Sequence, residues 1–509
     1  MADSLIFIEN KSEINAIEQY DLKDVIVIAL MPSVCIELTN RGISYENTKS
    51  LFGVDGHRET LQCAKLIVEG IRPFLNKIKS NGIQHAFEKT WIVYFRIRLY
   101  YWLTTLFIVN SAVQKYNPSR LIIVRSKYDN HNSLGQIVEK YAIAHGINIQ
   151  NVNKEVPTNL SVKKDNPVMQ QWLTKLTFQF QLRLFSIIAN KRNAFLALSD
   201  SHNMPRLVKK LCNHFAKPFP VYLSVQRKTL KIRIIEMCKG RAFSFLIIPK
   251  YVPSYLSAIF QDRYDSFASE IRSWLYHSNP NTEVYGVALG DFIMACTEDE
   301  LKKRMIALYG EIISLNKVLA QVRPNSVFSQ NNIGIGYALG EICLKENIPG
   351  LLITHGSHTP QENSIPSYEW SIHAHQIFNG KYPFVAIQTP WAKSFLNKQS
   401  GVVSKSIDTG PICFAQTSDN IYEKFELRRR LFGKEHAQKR IILHASSPRG
   451  WKTFRPWIYE TIDEYIHNIN LIIKATELNP SLYLCIRFRP LDGLSLKEFK
   501  MSLVGSDCY

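Results

Sequence analysis

Short apolar runs alternate with longer helical patterns along this chain, and the alternation constrains its fold more than any other feature. Three such runs in the first 155 residues are separated by three helical patterns. The runs are Leu5–Ile8, Val25–Met31 and Leu121–Val124, and the patterns are Glu59–Ile78, Phe87–Lys115 and Ser133–His145. Strands that alternate with helices of this length predict parallel sheets wrapped by helices, an α/β fold.

The clearest β-α-β unit lies between Pro324 and Pro360. It comprises a strand (Ser326–Ser329), a helix (Ile333–Lys345) and a second strand (Leu351–Thr354). The helix contains the glycine-rich stretch IGIGYALG, whose third glycine is four residues after the second rather than three. Because this spacing departs from the dinucleotide-binding fingerprint, we assign the glycines to helix packing.

The 509 residues are too many for one compact core and predict several domains. We divide the chain into an N-terminal α/β domain (1–155), a basic helical segment (156–193) and two further α/β domains (194–415 and 416–509). The last domain offers two strands and about two helices from Lys439 onward, too little to cover both faces of a parallel sheet. The sequence therefore predicts that this last domain is incomplete. Either the chain is truncated, or a partner supplies the rest of the domain.

Positive charge is concentrated in one quarter of the chain. Residues 156–280 carry a net charge of +13 out of the total of +19. Within them, Lys163–Arg192 fits an amphipathic helix, although apolar and polar residues also alternate as in a strand from Leu176 to Leu184. Length and Pro167 favour the helix, whose apolar face would comprise Leu173, Leu176, Phe180, Leu184, Ile187 and Ile188.

A basic amphipathic helix with aromatic residues suits an anionic membrane surface. The alternative is a core helix with a solvated basic face. We do not expect a nucleic-acid partner, because no RNA- or DNA-binding motif accompanies the charge.

The remaining composition favours a cytoplasmic protein, peripheral at most on the inner membrane. The nine cysteines form no CxxC pair, as in proteins with reduced thiols, and the N-terminus lacks the pattern of a secretory signal. The apolar stretch Leu99–Gln114 is 16 residues long, short of the roughly 20 that span a bilayer. We expect a buried helix there.

Three polar segments follow predicted strands, where open α/β sheets bind ligands. The first contains His355, Gly356, Ser357, His358 and, shortly after, Glu362. Its imidazoles and hydroxyls suit hydrogen bonds to a sugar or a phosphate, and either His355 or Glu362 is suited to act as a general base. The alternative is a polar surface loop.

The second segment contains Ser446, Ser447 and Arg449, and the third contains Arg489 and Pro490. Small residues let backbone N–H groups approach a phosphate, and the arginine side chains add bidentate donors. A solvated basic strand end is the alternative for the third segment. We expect no metal site, and no cofactor beyond a nucleotide-sugar substrate.

The motifs ITHGSHTP, AIQTPWAKSFL, DTGPICF, RIILHASS and LCIRFRP resemble those of bacterial glycosyltransferases of the GT-B type. The nearest likeness is to surface-carbohydrate (O-antigen or capsule) biosynthesis proteins, and Kdo transferases and sialyltransferases are more distantly similar. The resemblance covers roughly Ala194–Tyr509, and the opening VIVIALMPSVCIELTNRGISYEN is also similar to that group. It implies several Rossmann-like domains: a GT-B-like pair preceded by an additional N-terminal α/β domain.

The resemblance also implies a cleft between an acceptor-side domain and a nucleotide-donor domain. His355 and Ser357 would line it from the acceptor side, and Ser446 and Ser447 would face the donor phosphate. Arg489-Pro490 stands where such enzymes often have His-Pro, which contacts the nucleotide.

The expected function is transfer of a sugar from a nucleotide-sugar to a lipid-linked glycan. One alternative is a nucleotide-sugar 2-epimerase, which needs neither a lipid acceptor nor a basic surface. Another is a truncated, non-catalytic remnant that binds a membrane or partner proteins.

Overall fold

The computed structural model describes most of the chain, with gaps. The described ranges are 3–18, 22–75, 84–126, 133–154, 167–190, 193–198, 218–224, 245–247, 254–276, 282–353, 363–411, 424–445, 461–488 and 495–503, with residues 204, 207, 208, 210 and 211.

The first unit is built on a five-stranded sheet in the order β3-β2-β1-β4-β5 with every pairing parallel. The strands are β1 Ser4–Ile8, β2 Val25–Ala29, β3 Tyr45–Asn47, β4 Arg120–Ser126 and β5 Asn148–Lys154. The helices are α1 Lys11–Ile17, α2 Pro32–Asn40, α3 Thr48–Leu51, α4 Gly53–Leu75, α5 Gln84–Tyr116 and α6 Ser133–His145. Strand β1 is buried along its whole length, as expected for a central strand covered on both faces.

The second unit contains a seven-stranded parallel sheet in the order β14-β13-β12-β11-β6-β7-β8. Its strands are β6 Asn193–Leu198, β7 Pro218–Ser224, β8 Phe245–Ile247, β11 Ser326–Ser329, β12 Gly350–Ile353, β13 Phe384–Ile387 and β14 Lys405–Asp408. Its helices are α7 Pro167–Ala189, α8 Ser254–Tyr276, α9 Gly290–Val322, α10 Ile335–Lys345, α11 Ser364–Ile377 and α12 Pro390–Asn397. A two-stranded antiparallel hairpin, β9 Glu283–Val284 and β10 Val287–Ala288, precedes α9.

The glycine-rich stretch of α10 serves packing, as the sequence predicts. A Cβ atom on Gly336 would lie 2.1 Å from the Asn331 carbonyl oxygen, and one on Gly340 would lie 2.8 Å from the Tyr382 ring. The Tyr382 hydroxyl donates to the Gly336 carbonyl at 2.5 Å. The absent side chains therefore let α10 approach the turn after β11 and the segment before β13.

Two helices, α5 and α9, are long and apolar enough to cross a membrane by length and composition, among the residues searched. In α5, 78% of the most apolar window is buried inside the protein, and in α9 the share is 56%. The stretch Leu99–Gln114 lies within α5, where Leu99, Tyr100 and Leu106 are fully buried. The prediction of a buried helix at this stretch is confirmed.

The C-terminal unit pairs two parallel strands, β15 Arg440–Ala445 and β16 Leu482–Arg487. Its helices are α13 Lys424–Phe432, α14 Ile462–Glu477 and α15 Leu496–Met501. The unit packs on the first unit: α14 contacts α3, and α15 contacts α2.

Three polar pairs join these two units. The Thr48 hydroxyl donates to the buried Asp463 carboxylate at 2.5 Å. His57, fully buried on α4, lies 3.7 Å from the Glu464 carboxylate, and Lys11 pairs with Glu498. The GT-B resemblance predicts that the C-terminal domain faces residues 194–415 across a cleft. The three polar pairs described here instead join the C-terminal unit to the first unit.

The prediction of an α/β protein with several Rossmann-like parallel sheets is confirmed. The five-stranded sheet, the seven-stranded sheet and the C-terminal pair β15-β16 are each all parallel, and the described antiparallel pairing is the short hairpin β9-β10. The domain boundaries, and the pairing of two of these units as in GT-B enzymes, stay predictions.

Candidate functional site

All of the predicted site residues lie outside the described residues. They are His355, Gly356, Ser357, His358, Glu362, Ser446, Ser447, Arg449, Arg489 and Pro490. The structure does describe the strands before them. Strand β12 ends at Ile353, β15 at Ala445 and β16 at Arg487. Each segment therefore begins within two residues of a parallel strand's carboxyl end, where such sheets bind ligands.

The second and third segments begin side by side. Strands β15 and β16 are parallel neighbours, and Ala445 lies opposite Arg487 in their register. Adjacent strands lie about 4.8 Å apart. The chain therefore leaves both strands at the same level of one sheet edge, with Ser446 and Arg489 one and two residues further on.

Buried polar side chains line the carboxyl edge of the second sheet next to β12. Ser329 ends β11 fully buried, and Gln330 and Asn332 follow it with exposures of 2% and 1%. The Ser329 hydroxyl donates to the Asn331 carbonyl at 2.7 Å, and the Asn331 side-chain oxygen accepts from Ile333 N–H at 2.9 Å. These bonds fix a tight polar turn at the crevice between β11 and β6, where the strand order reverses.

The sequence pattern indicates only a polar turn at Gln330–Asn332, between the predicted strand Ser326–Ser329 and the predicted helix Ile333–Lys345. The sequence does carry one signal of a candidate site at this turn, because its polar amide side chains directly follow a buried strand.

A small polar cavity of about 190 Å³ adjoins this turn. Arg72 and Lys89, from the first unit, line it together with Asn332 and Ser371. Both cations have carboxylate neighbours: Arg72 pairs with Glu69 at 2.8 Å, and Lys89 with Glu88 at 3.2 Å. Burial lowers the pKa of Lys89. Because the positive charges are already compensated, we assign this cavity no anion.

Glu341 joins the first and second units at the start of α5. Its carboxylate accepts from the backbone N–H groups of His85 at 3.2 Å and Ala86 at 3.0 Å. A carboxylate at this position satisfies donors that the first turn of a helix leaves unpaired. Burial nevertheless raises the pKa of Glu341 to about 7.

A buried ion pair fixes α11, the helix that follows the first candidate segment. Arg96 of α5 lies with its Nη1 atom 3.2 Å from Glu369 Oε2, and their side chains are 1% and 0% exposed. The Tyr100 hydroxyl donates to the same carboxylate. Burial raises the pKa of Glu369, and Arg96 and Tyr100 oppose that rise. The pair therefore holds in place the helix that starts two residues after Glu362.

Helix α7 carries two apolar faces. The face buried in the protein comprises Phe178, Leu182, Phe185 and Ala189. The exposed face comprises Leu176 (43% exposed), Phe180 (69%), Leu184 (37%) and Ile187 (59%). The spacing of four, four and three residues places this second set on one side of the helix.

The prediction of a helix over a strand is confirmed for Pro167–Ala189. Of the predicted apolar face, Leu176, Phe180, Leu184 and Ile187 are exposed and Ile188 is half-buried, while the side chain of Leu173 lies outside the described part. Two cations, Lys175 and Arg183, are exposed on the same helix.

No group of three or more metal-ligating side chains is arranged to hold an ion within the described ranges.

The fold defines a Rossmann-like α/β protein with several all-parallel sheets. In the comparisons with known proteins, no family model, no curated protein and no solved structure matches this chain.

Proposed function

We propose that this protein transfers a sugar from a nucleotide-sugar to a lipid-linked glycan in bacterial surface-polysaccharide biosynthesis. The observation that carries the proposal is the position of the three candidate segments. Each begins where a strand of a parallel sheet ends, and two of them begin on adjacent strands. The motif resemblance supports the same reaction class.

The donor phosphates would bind where β15 and β16 end. Backbone N–H groups at Ser446 and Ser447 would approach the phosphates closely, because their side chains are small. Arg449 and Arg489 would stabilise the negative charge that develops on the leaving phosphate. Pro490 would hold the backbone after Arg489 at a fixed φ angle.

The acceptor would bind at the segment after β12. Gly356, Ser357 and His358 would hydrogen-bond the glycan, and His355 or Glu362 would remove the proton from the attacking hydroxyl. The Arg96–Glu369 pair supports this role indirectly, because it fixes the helix that follows the segment.

The exposed face of α7 supports a lipid-linked acceptor. Four large apolar side chains exposed along one helix face, with cations beside them, suit insertion into the boundary of an anionic membrane. A soluble 2-epimerase has no use for such a face. We therefore favour the transferase at the cytoplasmic face of the inner membrane.

Nucleotide-sugar binding tests the donor site. We would titrate the full chain by calorimetry with UDP-, GDP-, CMP- and dTDP-sugars. The proposal predicts binding of one nucleotide class, weakened about tenfold or more in Arg489→Ala and in Arg449→Ala, since each variant removes a charged hydrogen bond to phosphate.

The matched control is Arg429→Ala, which removes an exposed arginine on α13 that pairs with Glu426 at 2.9 Å. Its binding should equal that of the wild type. Absence of heat with every nucleotide-sugar would refute the proposal and favour the non-catalytic remnant.

A further inference from the structure

A second cavity, of about 360 Å³, lies between the first unit and the C-terminal unit. Its walls come from α2 and the end of β3 on one side and from α14 and α15 on the other. Helix α2 follows β2, and Asn47 is the last residue of β3. The lining runs along α2 from Pro32 to Asn40 and includes Tyr45 and Asn47, so the cavity lies beside β3, the edge strand of the first sheet. Its volume falls within the roughly 300–1,000 Å³ typical of small-molecule sites.

Six of the 14 residues that line this cavity have polar but uncharged side chains. Three asparagines contribute, Asn40 and Asn47 from the first unit and Asn470 from α14, together with the hydroxyls of Thr39 and Tyr45. Asn470 donates to the Ser502 carbonyl at 3.0 Å, and Thr39 lies 3.2 Å from the Tyr45 hydroxyl. These bonds hold the Asn470 amide and the Thr39 and Tyr45 hydroxyls in defined positions.

Asp463 forms the buried base of the cavity. It is 8% exposed, and its Oδ2 atom accepts from the Thr48 hydroxyl at 2.5 Å and from the Thr48 backbone N–H at 3.3 Å. Two donors from the same residue fix the plane of the carboxylate against the cavity. A fixed carboxylate among amides is suited to accept hydrogen bonds from neutral hydroxyl groups.

The charges favour a neutral ligand. Lys49 and Asp463 have opposite charges, and among the described lining residues only His467 could add another. Burial raises the pKa of the Cys35 thiol, which keeps it uncharged beside them. The described lining residues include no cluster of cations that would bind phosphate. Ile36, Ile466 and Met501 supply an apolar wall, as the C–H face of a ring requires.

We propose that this cavity binds a neutral sugar ring, one monosaccharide unit of a glycan. The amides, the hydroxyls and the fixed carboxylate would hydrogen-bond the ring hydroxyls, and the apolar wall would pack against the ring. The ligand would contact both units, so that its binding would also hold the C-terminal unit on the first. The inference does not depend on the proposed transfer reaction, since it requires neither a nucleotide nor the three candidate segments.

Saturation-transfer NMR of the full chain tests the proposal. The probes are the methyl glycosides of glucose, galactose, mannose, rhamnose and N-acetylglucosamine, with inorganic phosphate and uridine as the two competing chemistries. We expect ring-proton signals from at least one glycoside. The dissociation constant of that glycoside should increase about fivefold to tenfold in Asn40→Ala, because one hydrogen bond is lost.

The matched control is Asn468→Ala, on α14 but outside the cavity lining, which should bind the glycoside as the wild type does. Because Asn40 lies on the exposed end of α2, its variant should also keep the melting temperature of the wild type. A second variant, Thr39→Trp, fills the entrance and should abolish the signal.

Three results would overturn the inference. They are the absence of a signal from every glycoside, a weakening of glycoside binding in Asn468→Ala equal to that in Asn40→Ala, and displacement of the glycoside by uridine or phosphate. Failure here is distinguishable from failure of the proposed function. Asn40→Ala should leave the calorimetric binding of a nucleotide-sugar unchanged, and Arg489→Ala should leave glycoside binding unchanged.

Discussion

Single buried acids connect the units of this protein at positions far apart in the sequence. Glu341 of the second unit binds the first turn of α5, and Asp463 of the C-terminal unit binds Thr48. Burial raises the pKa of Asp463 to about 6 and that of Glu341 to about 7. The charge of each group is therefore less favourable in the folded protein than in the unfolded chain.

Replacing Glu341 with glutamine should change how stability depends on pH. The folded-state pKa of about 7 lies above the ordinary glutamate pKa of 4.5, so the folded protein binds more protons than the unfolded chain between these pH values. The free energy of unfolding of the wild type must then decrease as the pH rises through this window. In Glu341→Gln this pH-dependent contribution should vanish. Relative to the wild type, the free energy of unfolding of the variant should therefore be higher at pH 8 than at pH 5, by on the order of 2 kcal/mol.

Urea unfolding at a series of pH values measures this difference. Glu346→Gln is the matched control, because Glu346 is exposed at the end of the same helix. Parallel curves for Glu341→Gln and the wild type across pH 5–8 would contradict the burial of this acid.

Breaking the Arg96–Glu369 pair should be costly, whereas replacing both partners should not. Arg96→Met leaves a buried carboxylate uncompensated and should lower the free energy of unfolding by about 3–5 kcal/mol. The double variant Arg96→Met/Glu369→Leu removes both charges and should recover most of that loss. Denaturant unfolding of the two single variants and the double variant measures the coupling. Additive effects would show that the two groups do not interact.

At the scale of elements, the sequence predicted best the strands that are buried on both faces. Strand β11 has the predicted bounds, and β1, β2 and β4 lie at their apolar runs. Two edge strands were missed, β3 with the sequence YEN and β5 with NIQNVNK. Edge strands need apolar residues less than central strands do, so hydrophobic periodicity gives little signal for them.

The pattern of apolar and charged residues predicts a helix over Glu298–Val322, whereas the helix of the structure, α9, begins at Gly290. Three consecutive apolar residues near its start, Phe292, Ile293 and Met294, are all buried, and a run of consecutive apolar residues lacks the amphipathic pattern that marks a helix.

Local sequence patterns predict even less of the candidate site than of the fold. The three polar segments could be identified because each follows an apolar strand. The cavity between α2 and α14 could not, since it depends on contacts such as Thr48–Asp463 between residues 415 positions apart. No local pattern in a sequence indicates a contact of that range.

The exposed face of α7 should bind anionic vesicles. Phe180→Gln/Ile187→Gln removes two of its most exposed apolar side chains without touching the buried face. We expect sedimentation with vesicles of phosphatidylglycerol and phosphatidylcholine to fall about tenfold or more, since burying each large side chain contributes about 1.5–3 kcal/mol.

The control for this variant is Ile143→Gln/Leu478→Gln, which removes two apolar side chains that are at least as exposed, one on α6 and one directly after α14. It should sediment as the wild type does. Equal sedimentation of both double variants would assign membrane binding to another surface, and α7 would then be an ordinary helix with a solvated side.

At the scale of the molecule, α5 links the units. It packs along α4 and α6 in the first unit and contacts α9 and α10 of the second. Its Thr90 hydroxyl accepts from the Gly334 N–H at 3.0 Å, directly beside the polar turn after β11. The C-terminal unit docks on the first unit from the other direction through Asp463 and Glu464. The first unit therefore carries contacts to both units that bear the candidate segments.

Sugar transfer measures the central claim most directly. Full-length protein, anionic vesicles that contain lipid-linked glycan and a radiolabelled nucleotide-sugar of the class found by calorimetry would be combined, and label in the lipid fraction counted. The account predicts incorporation by the wild type and a loss of about 10²–10⁴-fold in His355→Ala or in Glu362→Ala, whichever residue is the base. Unchanged incorporation in both variants, or none by a wild type that binds the nucleotide-sugar, would contradict it.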